Sequence, residues 1–307
     1  MSSLRLLDGL VHVLLLLAFS PLLPGAINRT KARMAGRAGP PLLQGYYDLA
    51  KLLRKEMVIS RTTTWVFKAG PAVAWTATLL AGLLVPLWHH RPPVAFAGDM
   101  VLLAYLLALG RFFMAAAAMD TGSPFEGMGT AREVSYASLA EPALFLGLIA
   151  LARLTGSLSL AGMFSGALPG GWTGSAAALV LVTASWFVVL LAENCRIPFD
   201  DPNTHLELTM IHEVMVLDHS GPALALIEHG AAMKLFVLSA LVLDVAFPVA
   251  TGNLWLDWAL FLGGMLGLAV VIGLVESSMA RLRLNNIPKL LVSACLLAAF
   301  GVILLIA

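Results

Sequence analysis

The chain has 307 residues, of which 59% are hydrophobic and only 12% charged, with a formal net charge of +1. Its mean hydropathy of +0.88 lies far outside the range of soluble domains and identifies an integral membrane protein. Near-neutral charge argues against a nucleic-acid partner. The two cysteines, Cys195 and Cys295, supply neither a CxxC pair nor a four-cysteine iron–sulfur ligand set.

Apolar runs long enough to cross a hydrocarbon core of about 30 Å fall near Leu4–Pro24, Ala69–Trp88, Val94–Met119, Leu139–Thr155, Ser175–Ala192, Ala231–Ala250, Leu254–Val275 and Ile287–Ala307. The expected fold class is therefore all-α: one polytopic membrane helix bundle of about eight transmembrane helices over residues 1–307. The first run, with Asp8 and His12 inside it, lacks a small-residue cleavage site and reads as a retained span.

Between the first two runs, Gly25 to Lys68 holds nine of the 19 basic residues, which by the positive-inside rule makes this loop cytoplasmic. Even-numbered crossings then put Asp120–Ser138, Glu193–Gly230 and Glu276–Asn286 on the same side. His89–Pro93, Gly156–Gly174 and Thr251–Asn253 face out. Within the basic loop, QGYYDLAKLLRK (Gln44–Lys55) alternates apolar and charged residues at helical spacing, so an amphipathic interfacial helix is expected there, as part of a surface on which a soluble partner docks.

Most of the polar chemistry lies between Ala192 and His229, a stretch with seven of the 18 carboxylates and four of the seven histidines. Ionisable groups beside or within spans are costly unless paired, hydrated or used. Pro198 and Pro202 break the helix after the fifth span and would bring Asp200 and Asp201 under the bundle. His205, His212 and His219 recur every seven residues and would share a face if the stretch were one helix. Metal sites on helices favour spacings of three or four, so no metal ligands are assigned; His212 and His219 remain as second-rank candidates for proton transfer or structural hydrogen bonding. Inside the spans, Lys234 can snorkel, Asp244 lies deeper and is a candidate inner charge, and Glu276 could pair with Arg281 or Arg283.

Several of these segments carry a resemblance. RTKARMAGRAGPPLLQGYYDLAKLLRKE (Arg29–Glu56) resembles the first cytoplasmic loop of the complex I subunit 1 family, and AENCRIPFD (Ala192–Asp200) resembles that family's Ala-Glu-x-x-Arg-x-Pro-Phe-Asp signature. Glu207, Glu213 and Glu228 match family acidic positions, and Arg132 followed by Glu141 matches an arginine–glutamate spacing. DDPNTHLELTMIHEVMVLDHSGP (Asp200–Pro222) is similar to the membrane subunits of group 4 NiFe hydrogenases, including formate hydrogenlyase, hydrogenase-4 and carbon-monoxide-linked hydrogenases. Glu276–Pro288 lacks the complex I Pro-Arg-x-Arg-x-Asp pattern.

The resemblance implies a membrane subunit, without an active site of its own, that links a soluble electron-transfer arm to proton or sodium movement in a prokaryotic cytoplasmic membrane. It implies NiFe and iron–sulfur centres in partner chains and none in this one. Expected partners are the hydrogenase large and small subunits, iron–sulfur proteins, antiporter-like membrane subunits and lipid. Glu141, Glu193, Asp200, Glu207, Glu213, Glu228 and Asp244 are the charge-coupling candidates, with Arg132 and Arg196 as counter-ions, because desolvation and mutual repulsion adjust carboxylate proton affinity. Arg29, Arg33, Arg37, Gln44, Asp48, Lys51 and Arg54 form the docking set. A quinone-binding complex I subunit and a stand-alone secondary transporter are the alternatives; a transporter would commonly carry an internal repeat, and none is evident.

Overall fold

The computed structural model describes residues 2–306 except 89, 165–166, 201–209 and 250. Glu207, His205, Asp201 and Pro202 lie outside the described residues. The regular elements described are helices: α1 (Ser2–Leu14), a π-helical turn (Leu15–Phe19), α2 (Leu22–Met34), α3 (Gln44–Leu53), α4 (Trp65–Leu84), α5 (Asp99–Asp120) and α6 (Pro124–Thr155). They continue with α7 (Leu160–Met163), α8 (Ala167–Glu193), α9 (His212–Met215), α10 (Gly221–Ala246), α11 (Leu254–Ser278) and α12 (Ile287–Leu304).

Seven helices are long and apolar enough to cross a membrane, and the bent pair Leu7–Phe19 and Leu22–Met34 makes up to eight. The bend is 43° and falls at Ser20–Pro21, next to the π turn, where the helical hydrogen-bond ladder is already irregular. Helix therefore runs to Met34, ten residues into the expected first loop.

Two other boundaries differ from expectation for one reason: hydropathy reports the apolar part of a helix, not its whole length. The fourth span, expected to be short, is the 32-residue α6, whose first half carries Glu126, Arg132 and Glu133. The sixth begins at Gly221, which places Glu228 inside α10 rather than before it. The amphipathic segment is the ten-residue α3, ending within two residues of the expected limit.

Helix α10 is the central post. Of its most apolar window 72% is buried, against 28–44% for the other unbroken spans, because it packs on α4, α8 and α3 at once. Around it, α5 lies along α4, α12 against α6 and α8, and α11 against α2.

The loops sort to two ends of the bundle as expected. At one end, the Ser220 hydroxyl accepts from Val58 N (3.0 Å), Leu282 N donates to Pro198 O (3.0 Å), and Asp120 accepts from Thr64 N (2.6 Å). Gly221 adopts φ +54°, and a Cβ there would lie 2.7 Å from the Glu56 carbonyl oxygen, so the start of α10 and the basic loop touch through backbone that only glycine permits. At the other end, Gly98 N bonds Leu158 O (3.1 Å) and Leu160 N bonds Asp99 (2.6 Å).

Candidate functional site

Four helices converge on one buried ion cluster at the basic-loop end. Arg111 of α5 gives two 2.7 Å hydrogen bonds to the carboxylate of Glu193 at the end of α8, and it also donates to Glu141 of α6. Lys234 of α10 approaches Glu193 at 3.1 Å, and Glu133 of α6 lies 4.0 Å from the Arg111 Nε. Both Glu193 oxygens are thus engaged by one guanidinium nitrogen, a charge-assisted contact that pins the carboxylate. Lys234 does not snorkel out of the bundle; it points into this cluster.

Sequence reading misses Arg111. It lies within an apolar run, and that position is itself the signal, because a cation in the middle of a span needs a partner. Glu141 and Glu193 are brought together by it, with no part played by Arg132, which donates instead to the Met210 carbonyl (3.0 Å).

The loop following α8 is held by a second set of pairs. Asp200 is buried, as the prolines imply, where it accepts from Ile211 N (2.9 Å) and pairs with Arg281 (3.0 Å). Glu276, expected to pair with Arg281 or Arg283, instead meets Lys31 of α2 at 2.8 Å and Arg196 at 3.6 Å. Its neighbours in space come from α2 and the α8 tail because α11 packs on α2. Among the described residues, Arg283 joins none of these pairs.

Between these pairs lie two adjoining cavities. One, of about 330 Å³, is lined by Asp48, Arg196, Asp200, His212, Glu213 and Glu228. The other, of about 100 Å³, is lined by Arg111, Glu133, Glu193, Cys195, His212 and Lys234. Asn194, Cys195 and His212 border both, so a polar tract runs from α3 to the Arg111 cluster. Asp48 faces this tract, held by a 2.9 Å bond from Gln44, whereas Arg33, Arg37, Lys51 and Arg54 are exposed and Arg29 is half-buried. Burial, and then the Glu133 carboxylate, push the Cys195 thiol well above its ordinary pKa.

Two candidates fall elsewhere. Asp244 is buried near the far end of α10, where it accepts from Trp88 N (3.0 Å) in the loop after α4; it is remote from the Arg111 cluster. His219 is stacked on Phe67 with ring centroids 4.0 Å apart, and burial holds its pKa below the usual value. The condition for a shared histidine face, one continuous helix, is not met among the described residues, because the helix there is only His212–Met215 and His219 lies beyond its end.

The fold and site together define a class: a multi-span membrane protein with a buried, largely paired tract of ionisable groups at one end of the bundle. The profile of the NADH dehydrogenase family matches residues 8–307, and the chain belongs to that family. It is 35% identical to hydrogenase-4 component C of Escherichia coli (strain K12) over 240 residues, covering 78% of this chain and 75% of the relative. It is 32% identical to formate hydrogenlyase subunit 4 of the same organism, covering 92% of each. A subunit of the NADH-quinone oxidoreductase of Rubrobacter xylanophilus is 29% identical over 76% of this chain and 72% of its own length. A chain of the membrane-bound sulfane sulfur reductase, an archaeal respiratory membrane complex, shares the fold with a TM-score of 0.83 at 22% identity, over 98% of this chain and 99% of that one.

Proposed function

We propose that this chain is the membrane-anchoring subunit of a multisubunit redox complex of the hydrogenase-4 or formate hydrogenlyase kind, and that it couples the soluble electron-transfer arm to proton or sodium movement. The observation that carries the reading is the continuous polar tract from Asp48 through Glu213, Glu228 and His212 to the Arg111–Glu193–Lys234 cluster. Glu228 interacts with two like charges, Asp48 and Glu213. A change of charge at a docked partner shifts proton occupancy among carboxylates so arranged, because nearby anions in low dielectric repel one another strongly.

In this reading the NiFe and iron–sulfur centres belong to partner chains, the large and small hydrogenase subunits and iron–sulfur proteins. Antiporter-like membrane subunits complete the ion path in a prokaryotic cytoplasmic membrane. The catalytic chemistry resides in the partners, and this chain supplies position and charge. Four carboxylates in the lining of the larger cavity give water and ions polar partners along it.

The test is Glu213→Gln, which keeps size and most hydrogen bonding but cannot carry the charge. Hydrogen evolution and ion uptake, measured in the same vesicles with assembly verified, are expected to fall strongly together. Wild-type values of both would remove Glu213 from the mechanism.

A further inference from the structure

Glu133, Cys195 and His212 come from three separate parts of the chain: the first half of α6, the residue two beyond the end of α8, and the first residue of α9. One ligand atom from each lies within 4.8 Å of the other two, and Cys195 Sγ is 3.8 Å from Glu133 Oε2. We propose that these three side chains form a binding site for a borderline-soft divalent cation, with zinc(II) the best match.

The donor set carries the choice of ion. Thiolate and imidazole select zinc over magnesium or calcium, and a carboxylate oxygen is the third kind of donor that zinc accepts. Bonds of about 2.0–2.3 Å in a tetrahedron place neighbouring ligand atoms roughly 3.3–3.7 Å apart. The observed separations, all within 4.8 Å, reach that range with side-chain adjustments of about 1.5 Å at most. Glu133, Cys195 and His212 all line the 100 Å³ cavity, which has room for a water as fourth ligand.

Two further features point the same way. Cys195 has φ +49°, a left-handed conformation that side-chain-bearing residues adopt at a cost. It is the residue whose thiol meets Glu133. The charges beside the trio are also unbalanced: the cations Arg111 and Lys234 face three carboxylates, Glu133, Glu141 and Glu193. A divalent ion that displaces the thiol proton to solvent adds one net positive charge and cancels the excess. Arg111, 4.0 Å from the Glu133 carboxylate, then stands as an outer partner that orients a ligand.

Cys195 and His212 border both cavities, so an ion held there sits at their junction and joins α6, the α8 tail and α9. Binding stands apart from the function proposed above, since it is read without any redox activity. The full-length chain in lipid nanodiscs, stripped with chelator, is titrated with cobalt(II). One equivalent should bind, with a thiolate-to-cobalt charge-transfer band and tetrahedral ligand-field bands, and zinc(II) should displace it. Cys195→Ser should abolish the charge-transfer band, and His212→Gln and Glu133→Gln should each weaken binding at least about tenfold. Cys295→Ser should leave the spectrum unchanged. No band in the wild type, or a band that survives Cys195→Ser, overturns the proposal. Should the variants lose their helical signal, maleimide labelling of the wild type decides: zinc(II) is expected to protect Cys195 and not Cys295, and equal labelling of Cys195 with and without zinc overturns the site.

Discussion

Arg111→Gln removes the guanidinium that holds Glu193 by two 2.7 Å bonds and also reaches Glu141. The Arg111 and Glu193 side chains are only 11% and 8% exposed, so water does little to screen the charge left behind. Breaking such a buried pair from one side costs about 3–5 kcal/mol. The Glu141 contact is left out of that figure, because its side chain is 40% exposed at the surface of the bundle and can turn away once the guanidinium is gone. Lys234 still stands 3.1 Å from Glu193 after the change, which favours the lower end, about 3 kcal/mol. Glu193→Gln in the same chain removes the stranded anion, so the double variant should lose less than the sum of the two singles by about 1.5 kcal/mol or more. Unfolding of the full chain in detergent micelles, followed by helical signal, measures all four forms. An Arg111→Gln chain within about 0.5 kcal/mol of wild type, or strictly additive singles, would refute the reasoning.

Burial holds the His219 pKa below 6.5, so the unfolded chain takes up this proton more readily than the folded one. Its contribution to stability is complete above that pH and is lost progressively as pH falls from 6.5 to the lowered folded value; His219→Phe should flatten the stability profile over that window, and an unchanged slope would count against the stack on Phe67. Reversing the exposed Arg33, Arg37 and Arg54 to Glu should release the soluble arm from washed membranes while this chain stays in them, as complementary charge is inverted; full retention at physiological salt would argue for docking elsewhere. Gly129→Val should lower the unfolding midpoint by an amount equivalent to about 1–3 kcal/mol, since a Cβ there meets Val214 and lies 2.8 Å from the Ile211 carbonyl oxygen. Gly127→Ala, with nothing within 4 Å of the added carbon, should match or exceed wild type, and equal losses in both would dismiss α9 packing as the cause.

Local features are legible from the chain alone. The period of Gln44–Lys55 places α3 because its apolar residues repeat at the helical interval, and Pro198 with the Glu193–Asp200 signature points to a buried Asp200. Pairing is not legible. Proximity in sequence matches Glu276 with Arg281 or Arg283, yet its partners Lys31 and Arg196 arrive through the packing of α11 on α2. Charge alone assigns Arg132 to carboxylates, but its reach ends at a backbone carbonyl. The heptad of histidines rests on a spacing that has meaning only in a continuous helix, and among the described residues that helix lasts four residues. Donors that meet across α6, α8 and α9 leave no periodic trace at all.

The 32 residues of α6 make a rod of roughly 48 Å, well beyond the ~30 Å of hydrocarbon it crosses. Measured from its end at Thr155, the oil ends about 20 residues back, close to Tyr136. Glu141 and its Arg111 bond then lie just inside the dielectric step, and Glu133 lies just outside it, one helical turn nearer the headgroups. The rod acts as a depth gauge for its own charges: with the Thr155 end held in place, a bilayer thicker by about 5 Å would bring the level of Glu133 within the hydrocarbon, where its carboxylate, 13% exposed, depends wholly on the protein partners around it. Lipid thickness thereby decides how much of the charged first half of α6 lies at the level of the hydrocarbon, a quantity set by the membrane in which the chain is placed.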